Sequence, residues 1–265
     1  GEKIKTIKNY SKIISNLIKL NIDRNSTIIA IGGGTLGDLT GFVASTVLRG
    51  VNFILMPTTL LSQVDAAIGG KTGINHPKGK NLIGAFHQPK MVIIDTNTLT
   101  TLPTREIRSG LAEIIKYGVI MNEPLFKLIE TQQSTIATLT YQQKPELWDT
   151  LITHSCQNKA TIVSEDEKES KQRMILNFGH TIGHAIEAVH DYHTYTHGEC
   201  VALGMVAATH IAVQRQWLPQ SEADRLTSLL TTLGFPQKIS NQNPENYLNR
   251  MLHDKKIING KIRFI

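Results

Sequence analysis

The stretch TIIAIGGGTLGDLTGFVASTVL, residues 27–48, decides the reading of the fold. Thr27-Ile28-Ile29-Ala30-Ile31 is short, rich in β-branched residues and almost wholly apolar, the pattern of a parallel strand buried on both faces. It breaks at Gly32-Gly33-Gly34, and a helical pattern follows from about Leu36 to Leu48. Two further apolar runs come next, Val51 to Met56 before Pro57 and Met91 to Ile94 before Asp95. Strands alternating with helical segments predict an α/β unit on a parallel sheet. Upstream, Ile13, Ile14, Leu17 and Ile18 recur at helical spacing. After Leu99 the texture changes, and from Pro103 to about Leu230 most of the chain reads as helix with polar breaks. The boundary is expected near residue 98, giving a nucleotide-type α/β half over 1–98 and a mostly α-helical half over 99–265. The chain starts inside the α/β pattern without a first strand and closes on Lys261-Ile262-Arg263-Phe264-Ile265, which reads as a strand cut midway. Sequence is therefore expected to be missing at both ends.

With 265 residues, 40% of them hydrophobic, the chain can bury a sizeable core. Its net charge of +6 is moderate, and Lys and Arg are scattered apart from a lysine-rich start, which argues against a nucleic-acid partner. Two cysteines, Cys156 and Cys200, make neither a disulfide framework nor a metal-type spacing. No apolar run reaches the roughly 20 residues that span a bilayer, and the basic N-terminus lacks the apolar stretch of a signal peptide. A cytoplasmic protein without membrane contact is expected.

Gly32, Gly34 and Gly37 satisfy G-x-G-x-x-G between a strand and a helix, where backbone and helix N-terminus can approach a pyrophosphate. The acidic residue expected about 20 positions later is absent; after Asp38 the next acid is Asp65. A tight strand-to-helix turn therefore stays open as the alternative. From Thr58, the run TTLLSQVDAAIGGKTGINHPKGKNLIGAF places Asp65, Lys71, Lys80 and Asn81 among small residues. Such lysines are point charges suited to carboxylate or phosphate; the alternative is a solvated loop with ordinary surface lysines.

Three segments carry candidate metal ligands. Glu113 and Lys116 lie three apart on one helical face. Asn177-Phe178-Gly179-His180-Thr181-Ile182-Gly183-His184 sets two histidines four apart, and Thr196-His197-Gly198-Glu199 offers a third. One Glu and two His with an open position form a recognised catalytic zinc set. Spacing alone pairs His180 with His184, and it leaves open which two imidazoles ligate and which is merely hydrogen-bonded in the core.

Six stretches together, GGGTLGDLTGFVAS, RGVNFILMPTTLLSQVDAAIGGKTGIN, KGKNLIGAFHQP, LPTREIRSGLAEIIKYG, NFGHTIGHAIEA and HGECVALGM, resemble the 3-dehydroquinate synthase family in order and spacing over most of the chain. The resemblance implies a Rossmann-like first domain, a helical second domain, and an active site in the cleft between them. It implies a bound NAD and one divalent metal ion, zinc or cobalt. By motif position the metal ligands are Glu113, His180 and His197, with His184 moved to the substrate. The catalytic residues it implies are Asp65, Lys71, Lys116, Asn177 and His184. NAD would meet Glu2, Lys5, Gly33, Gly34, Asp38, Thr58, Thr59, Lys71, Lys80, Thr101 and Leu102. The substrate's phosphate and carboxylate would meet Arg49, Asp65, Lys71, Lys80, Asn81, Lys116, Lys159, Arg173, Asn177, His184 and Lys255.

The implied reaction converts 3-deoxy-D-arabino-heptulosonate 7-phosphate into 3-dehydroquinate and phosphate, a step of the shikimate pathway. It proceeds by oxidation at C5, phosphate elimination, reduction, ring opening and aldol closure, and the resemblance further suggests a homodimer. Two related activities compete. One is another sugar phosphate cyclase, such as a 2-deoxy-scyllo-inosose synthase; the other is an iron-type polyol dehydrogenase, which would release NADH. Asn177, His184 and Arg49 match the dehydroquinate pattern. A third possibility is a catalytically inactive remnant serving as a binding module, against which the intact Glu113, His180 and His197 set argues.

Overall fold

The glycine turn at residues 32–34 caps a parallel strand whose two faces have different surroundings. The computed structural model describes residues 1–169, 171–240, 243–252, 257–258, 261–262 and 264–265. The chain forms two compact units, Gly1–Leu102 with Ser155–Lys168, and Pro103–His154 with Glu169–Ile265. The division at Leu102 lies four residues beyond the position read from composition, and a segment distant in sequence joins the first unit.

In the first unit, helix α1 (Ile7–Lys19) starts at a Thr6 cap whose hydroxyl accepts from Asn9 N. Strand β1 (Thr27–Gly32) leads through Gly33 into helix α2 (Gly34–Thr46), and β2 (Asn52–Pro57) lies parallel to β1 in register, Thr27 opposite Asn52. Strands β3 (Lys71–His76) and β4 (Gly79–Phe86) form an antiparallel hairpin, and β5 (Met91–Val92) joins β2 to give the sheet order β1-β2-β5. Ala30, Ala44, Val47, Phe53 and Leu55 make one core, and Leu39, Phe42, Val43 and Ile74 a second.

Two expectations change here. The polar segment from Thr58 to Phe86, for which a solvated loop stood as the alternative and no strand was expected, contains the β3–β4 hairpin and a π-helical turn at Ser62–Ala66. Gly73 faces Gly84 in that hairpin, so strand pairing rests on backbone bonds without the apolar alternation that marks a strand in sequence. Burial of β1 on both faces also fails. Ala30 turns inward, whereas Ile29 and Ile31 are 57% and 61% exposed, because period-two alternation sends them to the face opposite α2.

The second unit is helical. Helices α3 (Thr104–Met121), α4 (Glu123–Thr131), α5 (Gln133–Ile136) and α6 (Pro145–Glu165, joining the first unit from Ser155) come first. Helices α7 (His180–Val189), α8 (His197–Gln214), α9 (Gln220–Thr232) and α10 (Pro244–Leu252) follow, with short strands β6 (Ile257–Ile258) and β7 (Lys261–Ile262). Among the described residues no helix is long and apolar enough to cross a membrane.

Candidate functional site

Helix α3 carries Arg105, Ser109 and Glu113 four residues apart, hence on one face. That face meets the first turn of α8 in three rungs. Arg105 donates from Nε and Nη2 to the two Glu199 carboxylate oxygens at 3.0 and 2.7 Å. Gly198 N donates to Ser109 Oγ at 3.0 Å, and Glu113 Oε1 lies 3.2 Å from His197 Nε2. A side chain at Gly198 would put Cβ 2.1 Å from Ser109 O, so only glycine lets the helices meet here.

The turn is closed by a capping box. Thr196 Oγ1 accepts from Glu199 N at 3.3 Å, and Glu199 Oε2 accepts from Thr196 N at 2.8 Å. Removing one side of such a cap costs about 1 kcal/mol. Thr196→Ala is therefore expected to lower the unfolding free energy by about that amount, seen as a lower urea midpoint at unchanged slope. An unshifted midpoint would show the box to be unimportant for stability.

Around Glu113 the charged groups are sealed from solvent: its side chain is 0% exposed and that of Lys116 1%. Lys116 Nζ pairs with Glu113 Oε2 one helical turn on. His180 opens α7 directly after Gly179, whose φ of 75° suits glycine. Its Nε2 lies 3.3 Å from the same Glu113 Oε1 that His197 approaches. The donor atoms of Glu113, His180 and His197 all fall within 4.8 Å of one another, and so do those of His184, Glu187 and His197. The ring centroids of His180 and His184 are 5.3 Å apart, so His184 stands beside the first group.

Burial by itself would raise the Glu113 carboxyl, but Lys116 and His180 hold it well below the usual carboxylate range. Burial pushes His180 down despite the same carboxylate. At His197 burial also acts downward, yet hydrogen bonds to Glu113 and Glu187 raise the ring to about 10. A donor set of one carboxylate oxygen and two imidazole nitrogens suits a borderline dication such as zinc or cobalt. The tautomer at His180 agrees. Nδ1 lies 3.0 Å from Phe178 O, which only accepts, so in the neutral ring Nε2 turns a lone pair toward Glu113. Two electron-rich atoms facing each other in a dry site fit a cation held between them.

Elsewhere in this unit, Asn177 Nδ2 donates to Glu169 Oε1 at 2.6 Å, and Arg173 is buried. Lys255 lies outside the described residues.

In the first unit, Asp65 sits on the π-helical turn and is held by Lys159, whose Nζ donates to Asp65 O and Oδ1 at 2.5 and 2.8 Å. Lys5, 2% exposed, donates to Asp38 Oδ2 at 2.7 Å and to Asn81 Oδ1. Glu2 accepts from Asn75 at 2.8 Å and from Thr35 at 3.3 Å. Glu2, Lys5, Asp38 and Asn81, which the resemblance divides between cofactor and substrate, thus belong to one polar network. Burial raises the Asp38 carboxyl, and Lys5 opposes it without cancelling it.

Thr58 N donates to Gly32 O at 3.0 Å, and a Cβ at Gly33 would lie 3.1 Å from Thr59 Cγ2. The glycine turn and Thr58-Thr59 are therefore one packed element. Thr101 and Leu102 end the 3-10 turn Thr96–Thr101. Lys71, which opens β3, lines a shallow surface hollow with Asp38. Lys80 lies on β4. Leu48 and Arg49 both have positive φ, 50° and 68°, a strained turn that presents Arg49 to solvent.

Sequence reasoning did not single out Arg105, Ser109, Glu187 or Glu199. The helical spacing of Arg105 and Ser109 with Glu113, and of Glu187 with His180 and His184, was the available signal.

A parallel α/β unit with a glycine turn, followed by a helical unit gathering a carboxylate and two imidazoles, defines the class. The fold matches a 2-deoxy-scyllo-inosose synthase solved with carbaglucose-6-phosphate, NAD+ and Co2+, at TM-score 0.86 and 32% identity over 97% of this chain and 69% of that one. It also matches the 2-epi-5-epi-valiolone synthase of Streptomyces hygroscopicus, solved with NAD+ and Zn2+, at TM-score 0.87 and 28% identity over 95% of this chain and 69% of that one. These are sugar phosphate cyclases. Family models described as 3-dehydroquinate synthase N-terminal and C-terminal match residues 1–109 and 110–257. A 3-dehydroquinate synthase of a Nostoc species is 50% identical over the whole of this chain and 73% of its own length. The chain belongs to the 3-dehydroquinate synthase family, whose members are carbon–oxygen lyases acting on phosphates.

Proposed function

We propose that the chain converts 3-deoxy-D-arabino-heptulosonate 7-phosphate into 3-dehydroquinate and phosphate, using bound NAD and one divalent cation, zinc or cobalt. The observation that carries the reading is the convergence of Glu113, His180 and His197 beside buried Lys116, in a chain of this family. Those three residues would hold the cation. When bound, the cation stabilises negative charge on a substrate oxygen as a Lewis acid, and NAD accepts and returns a hydride.

The chain's own residues bind and orient. Lys116, paired with Glu113, keeps a positive charge at the metal site in a place closed to water. Asn177 and His184 flank the ligand His180, three residues before it and four after, and serve the substrate, together with Arg173. Asp65 is aimed by Lys159, so the two act as one positioned pair toward substrate hydroxyls. Arg49, Lys71, Lys80, Asn81 and Lys255 supply charge and hydrogen bonds to phosphate and carboxylate, which is positioning as much as attraction. Glu2, Lys5, Asp38, Gly33, Gly34, Thr58, Thr59, Thr101 and Leu102 serve the dinucleotide, with Lys71 and Lys80 shared. The family resemblance supports a homodimer working in the cytoplasm, with residues 1–98 and 99–265 as its nucleotide and metal domains.

The test is phosphate release from the heptulosonate phosphate, followed with and without a chelator. Release that stops with chelator, with no net change in NADH absorbance over the turnover, is expected. The likeness to a 2-deoxy-scyllo-inosose synthase favours one rival substrate, a hexose 6-phosphate. Faster release from glucose 6-phosphate would replace the reading with that one, and net NADH formation from a polyol would replace it with a dehydrogenase.

A further inference from the structure

The two imidazoles that converge on Glu113 each have a second ring nitrogen, and its partner decides which tautomer the ring holds. For His180 the partner is the Phe178 carbonyl, 3.0 Å from Nδ1. For His197 it is a carboxylate. Nδ1 lies 3.5 Å from Glu187 Oε1, while Nε2 lies 3.2 Å from Glu113 Oε1 on the other side of the ring. Glu187 projects from α7 one turn beyond His184, and its side chain is 9% exposed. No step of the reaction proposed above uses it.

A buried carboxylate needs a partner, and His197 Nδ1 lies within ion-pair distance of Glu187. In the neutral ring that metal ligation requires, an acceptor-only group at Nδ1 obliges that nitrogen to carry the remaining hydrogen, which leaves the Nε2 lone pair on the side of Glu113 and His180. Histidines that bind metals are commonly held in this way by a carboxylate or carbonyl behind them, which fixes the ring and makes the ligating nitrogen more basic.

We infer that Glu187 is a positioning residue of the metal centre, accepting the Nδ1 hydrogen of His197 so that Nε2 faces the cation. The inference rests on the metal reading of Glu113, His180 and His197 and adds the group that orients the ligand from the most distant segment. Because the donor atoms of His184, Glu187 and His197 are also close together, the rival role for Glu187 is direct ligation of a second cation.

The experiment uses Co2+ as the probe. Metal-free full chain is titrated with Co2+ in competition with a chelator, and the bound ion is read by its visible absorption. One equivalent is expected in the wild type. Glu187→Ala is expected to bind one equivalent about 10- to 100-fold more weakly, and Glu187→Asp to recover part of the loss. Glu187→Gln keeps the side chain's shape if the alanine variant does not fold, and it is also expected to bind more weakly. In the zinc-loaded chain the His197 Nδ1–H proton resonates downfield when bonded to a carboxylate, and it is expected to move upfield in Glu187→Gln. A purely structural role would leave that resonance in place.

Wild-type Co2+ affinity in both the Ala and Gln variants, or an unmoved resonance, overturns the inference. So does a second equivalent in the wild type that Glu187→Ala loses, since Glu187 is then a ligand. Glu113→Gln separates the two levels. If it too binds Co2+ like the wild type, the metal reading falls and takes the inference with it; if it loses Co2+ while the Glu187 variants keep it, the inference alone falls.

Discussion

Glu113→Gln is expected to abolish binding of zinc or cobalt and with it phosphate release, and also to destabilise the chain by about 3–5 kcal/mol. The first effect follows from the donor set, in which Glu113 is the one anionic oxygen among the three converging ligands. The second follows from Lys116, which is 1% exposed and pairs with Glu113 Oε2. Neutralising the carboxylate leaves an ammonium group in a dry interior without its counter-charge. The two effects separate in the double variant. Adding Lys116→Met removes the stranded charge, so most of the urea midpoint is expected to return while metal binding stays lost. Retention of Co2+ affinity in Glu113→Gln would refute the ligand assignment. A double variant no more stable than the single one would refute the account of the buried pair.

Gly204→Ala is expected to destabilise the chain by about 3 kcal/mol or more, at the upper end of overpacking effects. A Cβ there would lie 1.9 Å from Gly179 O, 2.9 Å from Gly179 C and 3.0 Å from Gly183 N. All three are backbone atoms, which cannot swing away as a long side chain can, so α7 and α8 must separate. Those two helices carry His180 and His197, and their separation is expected to weaken Co2+ binding as well as folding. Urea unfolding and Co2+ titration of the variant check both. An unfolding free energy within about 0.5 kcal/mol of the wild type would show that the helices do not pack as described.

Much of the fold was legible because it rests on local rules. The apolar run at Thr27–Ile31, the glycines after it and the helical periodicity beyond are each consequences of nearest-neighbour geometry. The hairpin of β3 and β4 was not legible, since Lys71–His76 and Gly79–Phe86 pair through backbone with glycines facing one another. Nor was the exposure of Ile29 and Ile31, because apolar alternation cannot say whether a second layer covers a sheet.

The site divides in the same way. By itself the sequence determined which residue types were on offer: a glutamate and a lysine one turn apart, two histidines on the next turn of another helix, and a third after Thr196. From spacing it favoured His180 with His184, because i,i+3 and i,i+4 neighbours are the pairs a single helix brings together. The family resemblance put His197 with Glu113 and His180, but only the tertiary structure showed how they meet, that Ser109 and Gly198 let their helices close to contact, and that Glu187 stands behind the His197 ring. The reason is distance along the chain. Residues 84 positions apart are brought to 3.2 Å by the packing of whole helices, which no local pattern records.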